Sequence, residues 1–389
     1  MKTALLIVET DFLTHHVGVR RVVLHYWRQL ERDGHRVTLA APVKGRLCIG
    51  RGLDLKTAER LAHRSRNDAP SWVSGQGEPK TPSSIPALFS TRSIVWTTEE
   101  ARLDRFDVSL VTNPWLCAGG LPDGPITAGV VYDMVPNLVA CGALSFGQPM
   151  DIYAFAAAHD RGYRLFLERA GTILCISDSS RSDFIDFYRL APAEQAKVRT
   201  VIPYEAQDGL RIKTRPIAAG ERPRILLVNV LDPRKNFAGV RGALNLLSND
   251  LAFDIDVVGR ERMPLADVMT FLKGLSVSGR RVSWYRDASD ACLNRLYADA
   301  DLLVFPSFYE GLGLPILEAQ NQGVPVISAN TSSCIEVNMN PQLCVDPLDH
   351  PQIAERVRGV IEGRIQHLAG PDLRARLKDF LAGGAQWVA

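Results

Sequence analysis

Short apolar runs alternate with helix-period segments along much of the chain. Leu5-Leu6-Ile7-Val8 is apolar without interruption, which suits a strand buried on both faces. Val22, Val23, Tyr26, Trp27 and Leu30 then recur at helical spacing, Gly34 stops that helix, and Arg36 to Ala40 resumes as a strand. A β-α-β start of this kind predicts a parallel sheet. Further strands are expected at Val108 to Val111, Ile126 to Val131, Thr172 to Ile176 and Val198 to Ile202. Between Pro42 and Glu99 the pattern is poor. Asn67 to Ser90, rich in Pro, Ser and Gly, reads as a mobile insertion or loop.

Tyr204 to Arg224 is polar and lacks periodicity, and a second series follows it. Its strands are expected at Ile225 to Val228, Ile255 to Val258, Val282 to Tyr285, Leu302 to Phe305 and Pro325 to Ile327, with helical segments between them. Two successive β/α series predict an α/β protein of two Rossmann-like, doubly wound parallel-sheet domains. Residues 1–208 form the first and 223–375 the second, with a linker at 209–222 and a C-terminal segment at 376–389. A length of 389 residues exceeds what one core usually organises, which agrees. Ligands of such sheets bind beyond the carboxyl ends of the strands, so the expected site is a cleft between the domains.

A net charge of +2 argues against a general nucleic-acid binder. The seven cysteines are odd in number and none has zinc-ligand spacing, which predicts buried free thiols in a reducing compartment. Ala4 to Val8 is too short for the core of a signal peptide, and no apolar stretch is long enough to span a membrane. A cytoplasmic protein is expected, working at the inner membrane face in one reading. Lys44, Arg46, Arg51, Lys56, Arg60, Arg64 and Arg66 outnumber Asp54 and Glu59. They read either as a peripheral contact for anionic lipid or as a plain solvated face.

The richest segment is Phe305 to Ala319. Gly311 and Gly313 permit a tight turn and close ligand approach, and Pro315 stands where a helix should start. A helix start offers unpaired N–H groups from Gly311, Leu312, Gly313 and Leu314 to a diphosphate or to sugar hydroxyls. Two carboxylates frame the turn. Glu310 is placed to meet a hexose, and Glu318, expected in the first helical turn, to meet a ribose. Arg234 and Lys235 follow the first strand of the second series. They offer a fork and a point charge to a departing diphosphate. Two Asp-x-Asp pairs, Asp254/Asp256 and Asp299/Asp301, lead into strands and so lie at the far end of the sheet from the cleft.

The seven residues between Glu310 and Glu318 resemble the E-x7-E signature of glycosyltransferase family 4. Ser307 to Ala319, Gly323 to Ile327, Ser332-Ser333 and Glu336-Val337 are similar to the same pattern. The resemblance implies a GT-B fold, a nucleoside-diphosphate sugar donor, retention at the anomeric carbon and no bound metal or other cofactor. It also implies that Arg234 and Lys235 clamp the diphosphate. Gly259 is similar to the family's glycine after the second strand, and Gly18 to its glycine loop near the donor phosphates. In many relatives a small residue stands where this chain has Arg20. His15 and His16 before that loop read as loop residues. Tyr132-Asp133 is similar to a His-Asp element near the reacting carbon, so Asp133 remains as the group orienting donor or acceptor, with a turn cap as the plainer reading. Ser177 to Ser180 reads as a helix cap beside the acceptor side. The nucleobase is expected near Trp284 to Asp287.

Leu231 to Asn236 and Val345 to Asp349 look most like members that use GDP-mannose, and UDP-sugars are the alternative. The acceptor implied is a growing polysaccharide or a lipid-linked saccharide, as in lipopolysaccharide assembly. A nucleotide-sugar 2-epimerase and a catalytically silent partner subunit are the other readings. Trp387 resembles the point where relatives cross back to the first domain, and the chain ends soon after it, naturally short or truncated.

Overall fold

The computed structural model describes residues 2–13, 17–62, 68–75, 94–146, 152–213, 221–247, 251–384 and 387. His15, His16, Arg64 and Arg66 lie outside the described residues, as does most of the segment expected to be an insertion. The first half supplies β1 (Lys2–Ile7), β2 (His35–Val43), β3 (Arg46–Arg51), β4 (Trp72–Val73), β5 (Val95–Glu100), β6 (Val108–Val111), β7 (Ile126–Val131), β8 (Ala170–Cys175) and β9 (Val198–Thr200). The second supplies β10 (Arg224–Val228), β11 (Asp254–Val258), β12 (Val282–Tyr285), β13 (Leu302–Phe305), β14 (Val326–Ala329) and β15 (Cys344–Val345).

They form two parallel-dominated sheets with helices between the strands, the GT-B arrangement. The first sheet runs β5-β3-β2-β1-β6-β7-β8-β9. From β2 to β9 its neighbours are parallel, whereas β3 and β5 add antiparallel at one edge. The second runs β15-β14-β13-β10-β11-β12-β4 and is parallel except for β4. The apolar runs of the sequence are the central strands. Leu5, Leu6, Ile7, Ile225, Leu226, Leu227, Leu302 and Leu303 are all fully buried, as sheets covered on both faces require.

The poor pattern before Glu99 hides three strands. β3 pairs with β2 and β5, and Gly50 lets the Trp96 ring lie where a Cβ would stand only 2.7 Å from it. The segment expected to be a loop is ordered around β4. Trp72–Val73 belongs to the first half but pairs antiparallel with β12 of the second sheet. Ser71 N donates to Trp284 O and Ser74 N to Val282 O, at 2.6 and 2.9 Å. Trp72 is 5% exposed and sits in the apolar core of the second lobe.

In both sheets the strand order reverses once, between β1 and β6 and between β10 and β13. Crevices open at such reversals, beyond the carboxyl ends of the strands. The C-terminal helix Gly370–Gly383 returns the chain to the first lobe, where Trp387 packs edge-on to Tyr26 and Gln29 Nε2 donates to its carbonyl. All seven cysteines are free, but Cys344 is only half-buried and Cys141 is exposed, departures from the expected burial. Cys141 sits after the short helix Val135–Ala140, whose end faces outward.

Candidate functional site

The loops after β10 and β13 meet at the reversal point of the second sheet. After β10, Asp232 accepts from Arg234 N, and Asn236 takes a left-handed conformation (φ 60°) to cap the helix Phe237–Asn245 through Gly239 N. The Asn236 side chain also donates to Pro306 O and, at 2.6 Å, to Pro347 O. One residue therefore pins the Arg234-Lys235 turn to the β13 loop and to the Val345 to Asp349 segment. Phe308 N donates to Arg234 O at 3.0 Å.

Arg234 and Lys235 converge on Glu310. Arg234 Nη1 donates to Glu310 Oε2 at 3.1 Å and to Tyr309 O at 2.7 Å, and Lys235 Nζ pairs with Glu310 Oε1. Lys235 and Glu310 are 8% and 6% exposed. Burial pushes the Glu310 carboxyl up, but the charges of Arg234 and Lys235 outweigh it and hold the group below its ordinary value. Lys235 is pushed down by burial and by the Arg234 charge. Two cations share one carboxylate directly, with Asp133 and Asp232 acting on Arg234 from further off, and the pair is placed to meet an anion.

The Glu310 loop is held from below. Ser332, itself at φ 49°, accepts from Glu310 N, Ser333 Oγ donates to Glu310 O, and Thr331 Oγ1 donates to Phe308 O. Gly313, at φ 82°, then turns the chain into the helix Leu314–Asn321, with Pro315 in its first two positions. Glu318 is the fifth residue of that helix and lies in the second turn, not the first, because the helix already begins at Leu314. Its Oε2 accepts from Tyr297 OH at 2.9 Å, and its other oxygen pairs with Arg21 of the first lobe. Leu312 is buried in the core, which takes its side chain out of reach of a ligand.

Gly259 follows β11 at φ 120°, and a Cβ there would stand 2.4 Å from Asn229 Oδ1. Trp284 Nε1 donates to Gly259 O, and Arg286 bonds both oxygens of Glu261, so the expected nucleobase loop is internally braced. Gly18 opens the helix Val17–Arg32 against Leu314, whose Cδ1 would lie 3.8 Å from an added Cβ.

The first lobe closes over this loop. Gly311 lies under Tyr132 and Asp133, and a Cβ built on it would be 2.5 Å from Tyr132 O and 3.2 Å from Asp133 Oδ2. Asp133 Oδ1 accepts from Val135 N at 3.0 Å, so the turn-cap role is present alongside its position by the site. Ser177 caps the helix Asp178–Tyr188, as expected. Contacts not anticipated add to the closure. Ser180 Oγ reaches Gly311 O at 3.1 Å, Tyr309 OH pairs with Asp183, and Glu336 accepts from the N–H groups of Asp178 and Ser179. The short Ser-x-x-Ser spacing announced the cap but not the reach across the cleft.

The two Asp-x-Asp pairs stand at the amino ends of β11 and β13, engaged with Arg222, Arg224, Arg211 and Lys213. Among the described residues no group of three or more His, Cys, Asp or Glu side chains could hold a metal ion, and no helix is long and apolar enough to cross a membrane. Arg46 and Arg51 pair with Glu100 and Glu99.

Residues 211–379 match the family Glycosyl transferases group 1. O-antigen chain mannosyltransferase B of Escherichia coli is 33% identical over 171 residues, 40% of this chain and 42% of that protein. Serotype-specific mannosyltransferase WbdA of Escherichia coli is 28% identical over 103 residues, 26% of this chain and 13% of its own. The chain thus spans less than half the length of these curated relatives. Among solved structures, WaaG, a glycosyltransferase involved in lipopolysaccharide biosynthesis, superposes with a TM-score of 0.56 at 14% identity over 98% of this chain and 95% of its own. Anabaena HepE in complex with UDP gives 0.58 at 14%, over 98% and 94%. These likenesses show the GT-B fold.

Proposed function

We propose, from a chain whose residues 211–379 match the Glycosyl transferases group 1 family, that the protein transfers mannose from GDP-mannose onto a growing polysaccharide or lipid-linked oligosaccharide. The reading rests on one observation: Arg234, Lys235 and Glu310 converge where the second sheet reverses its strand order. The names of the Escherichia coli relatives support mannose as the transferred sugar. The donor lies along the second lobe. Its ribose meets Glu318, its hexose Glu310, and its diphosphate the two cations and the N–H groups of Gly311 to Leu314.

Transfer breaks the bond between C1 and the phosphate oxygen and forms one between C1 and an acceptor oxygen. The leaving diphosphate gains charge, which Arg234 and Lys235 offset without a metal. Glu310 is neutralised by two cations and serves better as a hydroxyl-bonding acceptor than as a nucleophile. The acceptor proton therefore passes to the departing phosphate oxygen on the same face of the sugar, and configuration is retained. Asp133 orients the acceptor hydroxyl.

A transfer assay with GDP-mannose and UDP-glucose, with Glu310→Ala and Lys235→Ala as controls, tests the assignment. Mannose transfer that falls more than about a hundredfold in both variants is expected, the scale of losing a transition-state contact. Near-wild-type turnover in both variants sinks the site. Isomerised sugar from donor alone, without acceptor, would favour the epimerase reading.

A further inference from the structure

The first lobe reaches the second through two consecutive arginines on one helix. The Arg20 guanidinium, nearly buried, bonds Asp290 at 3.2 Å. Arg21 lies 3.9 Å from the same carboxylate and pairs with Glu318 through Nη1. Glu318 therefore accepts a hydrogen bond from Tyr297 of its own lobe on one oxygen, while Arg21 from across the cleft stands against the other as an ion-pair partner without a hydrogen bond. Its side chain is 11% exposed. Tyr297 approaches from the helix Asp290–Asp299, whose first residue is the Asp290 that Arg20 holds. Gly18, three residues before Arg21, rests on Leu314 at the start of the Glu318 helix. These contacts bring the start of the first-lobe helix against the Glu318 helix.

We propose that Arg21 is a competitor for the nucleotide and sets the affinity of its site. This rests on the reading of Glu318 as the ribose carboxylate. In the closed molecule Arg21 occupies the oxygen that a ribose diol would use. A guanidinium–carboxylate contact has a charge on both partners, whereas a hydroxyl–carboxylate hydrogen bond has a charge on one. The incoming ribose must therefore replace a strong partner with a weaker one, and the apparent affinity falls by the fraction of molecules in which Arg21 holds Glu318. Tyr297 stays bonded throughout and keeps the carboxylate aimed. The exchange also couples occupancy to lobe separation, because releasing Glu318 removes one of the ties between the first-lobe helix and the second lobe.

The test measures calorimetric binding of GDP and of UDP to the full chain, its Arg21→Ala and Arg21→Gln variants, and the same changes in a Glu318→Ala background. Whichever nucleotide the wild type binds should bind both Arg21 variants about three- to tenfold tighter, the scale of a partly exposed ion pair removed from competition. In the Glu318→Ala background the Arg21 change should have no effect, which a merely structural role for Arg21 would not produce. Unchanged or weaker nucleotide binding in both Arg21 variants overturns the proposal. Failure of the wild type to bind either nucleotide overturns the donor-site reading itself, and this inference with it.

Discussion

Lys235 and Glu310 form a buried ion pair in the second lobe, and Arg234 closes on the same carboxylate at 3.1 Å. Removing the carboxylate strands two cations, whereas removing Lys235 leaves Glu310 paired with Arg234. Glu310→Ala is expected to cost about 3–5 kcal/mol of stability, the range for an orphaned buried charge, and Lys235→Met clearly less. Urea unfolding of the two variants checks the order. Equal losses would show that the pair is not the balancing element of this cluster.

Gly311 sits under Tyr132 and Asp133 with no room for a side chain. In Gly311→Ala the added methyl meets a carbonyl oxygen at 2.5 Å, and the first lobe must move away. Turnover should fall more than about tenfold while nucleotide affinity changes less than about threefold, since the misplacement falls between donor and acceptor groups. Steady-state kinetics with calorimetry separate the two. A loss confined to nucleotide binding would refute the lobe-contact account.

His25 is buried beside Glu205, 3.8 Å away, and burial pulls its ring down to about 4 from 6.5. A lowered histidine favours the neutral folded form. Its contribution is complete above about pH 6.5 and is lost as the pH falls from there through 4. Stability should drop by up to about 2 kcal/mol between pH 6.5 and pH 5 on this account. In His25→Gln, chemical unfolding at the two pH values should show a smaller difference. An unchanged difference would remove His25 from the acid response.

Trp72→Ala empties a slot in the core of the second lobe, although the residue belongs to the first half. Loss of a buried tryptophan typically costs about 3–5 kcal/mol. Tryptophan fluorescence during urea unfolding should show the second lobe losing stability. A loss below about 1 kcal/mol would mean that β4 adds little.

The central strands were legible because both faces of each are covered, so an uninterrupted apolar run is itself the signal: Leu5 to Ile7 and Ile225 to Val228 lie where the runs stood. Arg234, Lys235 and Glu310 were legible because each follows such a strand directly. β3 and β5 were not, since β5 is the edge strand and β3 its neighbour, and both carry mixed residues such as Arg46, Arg51 and Glu99. β4 is two residues long and takes its partner from more than 200 positions away, beyond the range of any local pattern. The second-turn position of Glu318 depended on whether Leu314 or Pro315 starts the helix, which differ by one residue. Arg21 carried no signal, because its meaning depends on which lobe it faces.

The strand at Trp72–Val73 makes the second lobe discontinuous in sequence. A clone starting at the interlobe linker would contain every residue assigned to the donor except Gly18 yet present β12 with a bare edge and an open apolar slot beside it. Such an edge is a template for pairing between copies. Dissection at the linker should therefore yield self-associating material, and co-expressing a peptide spanning residues 68–75 is the natural way to cover that edge again.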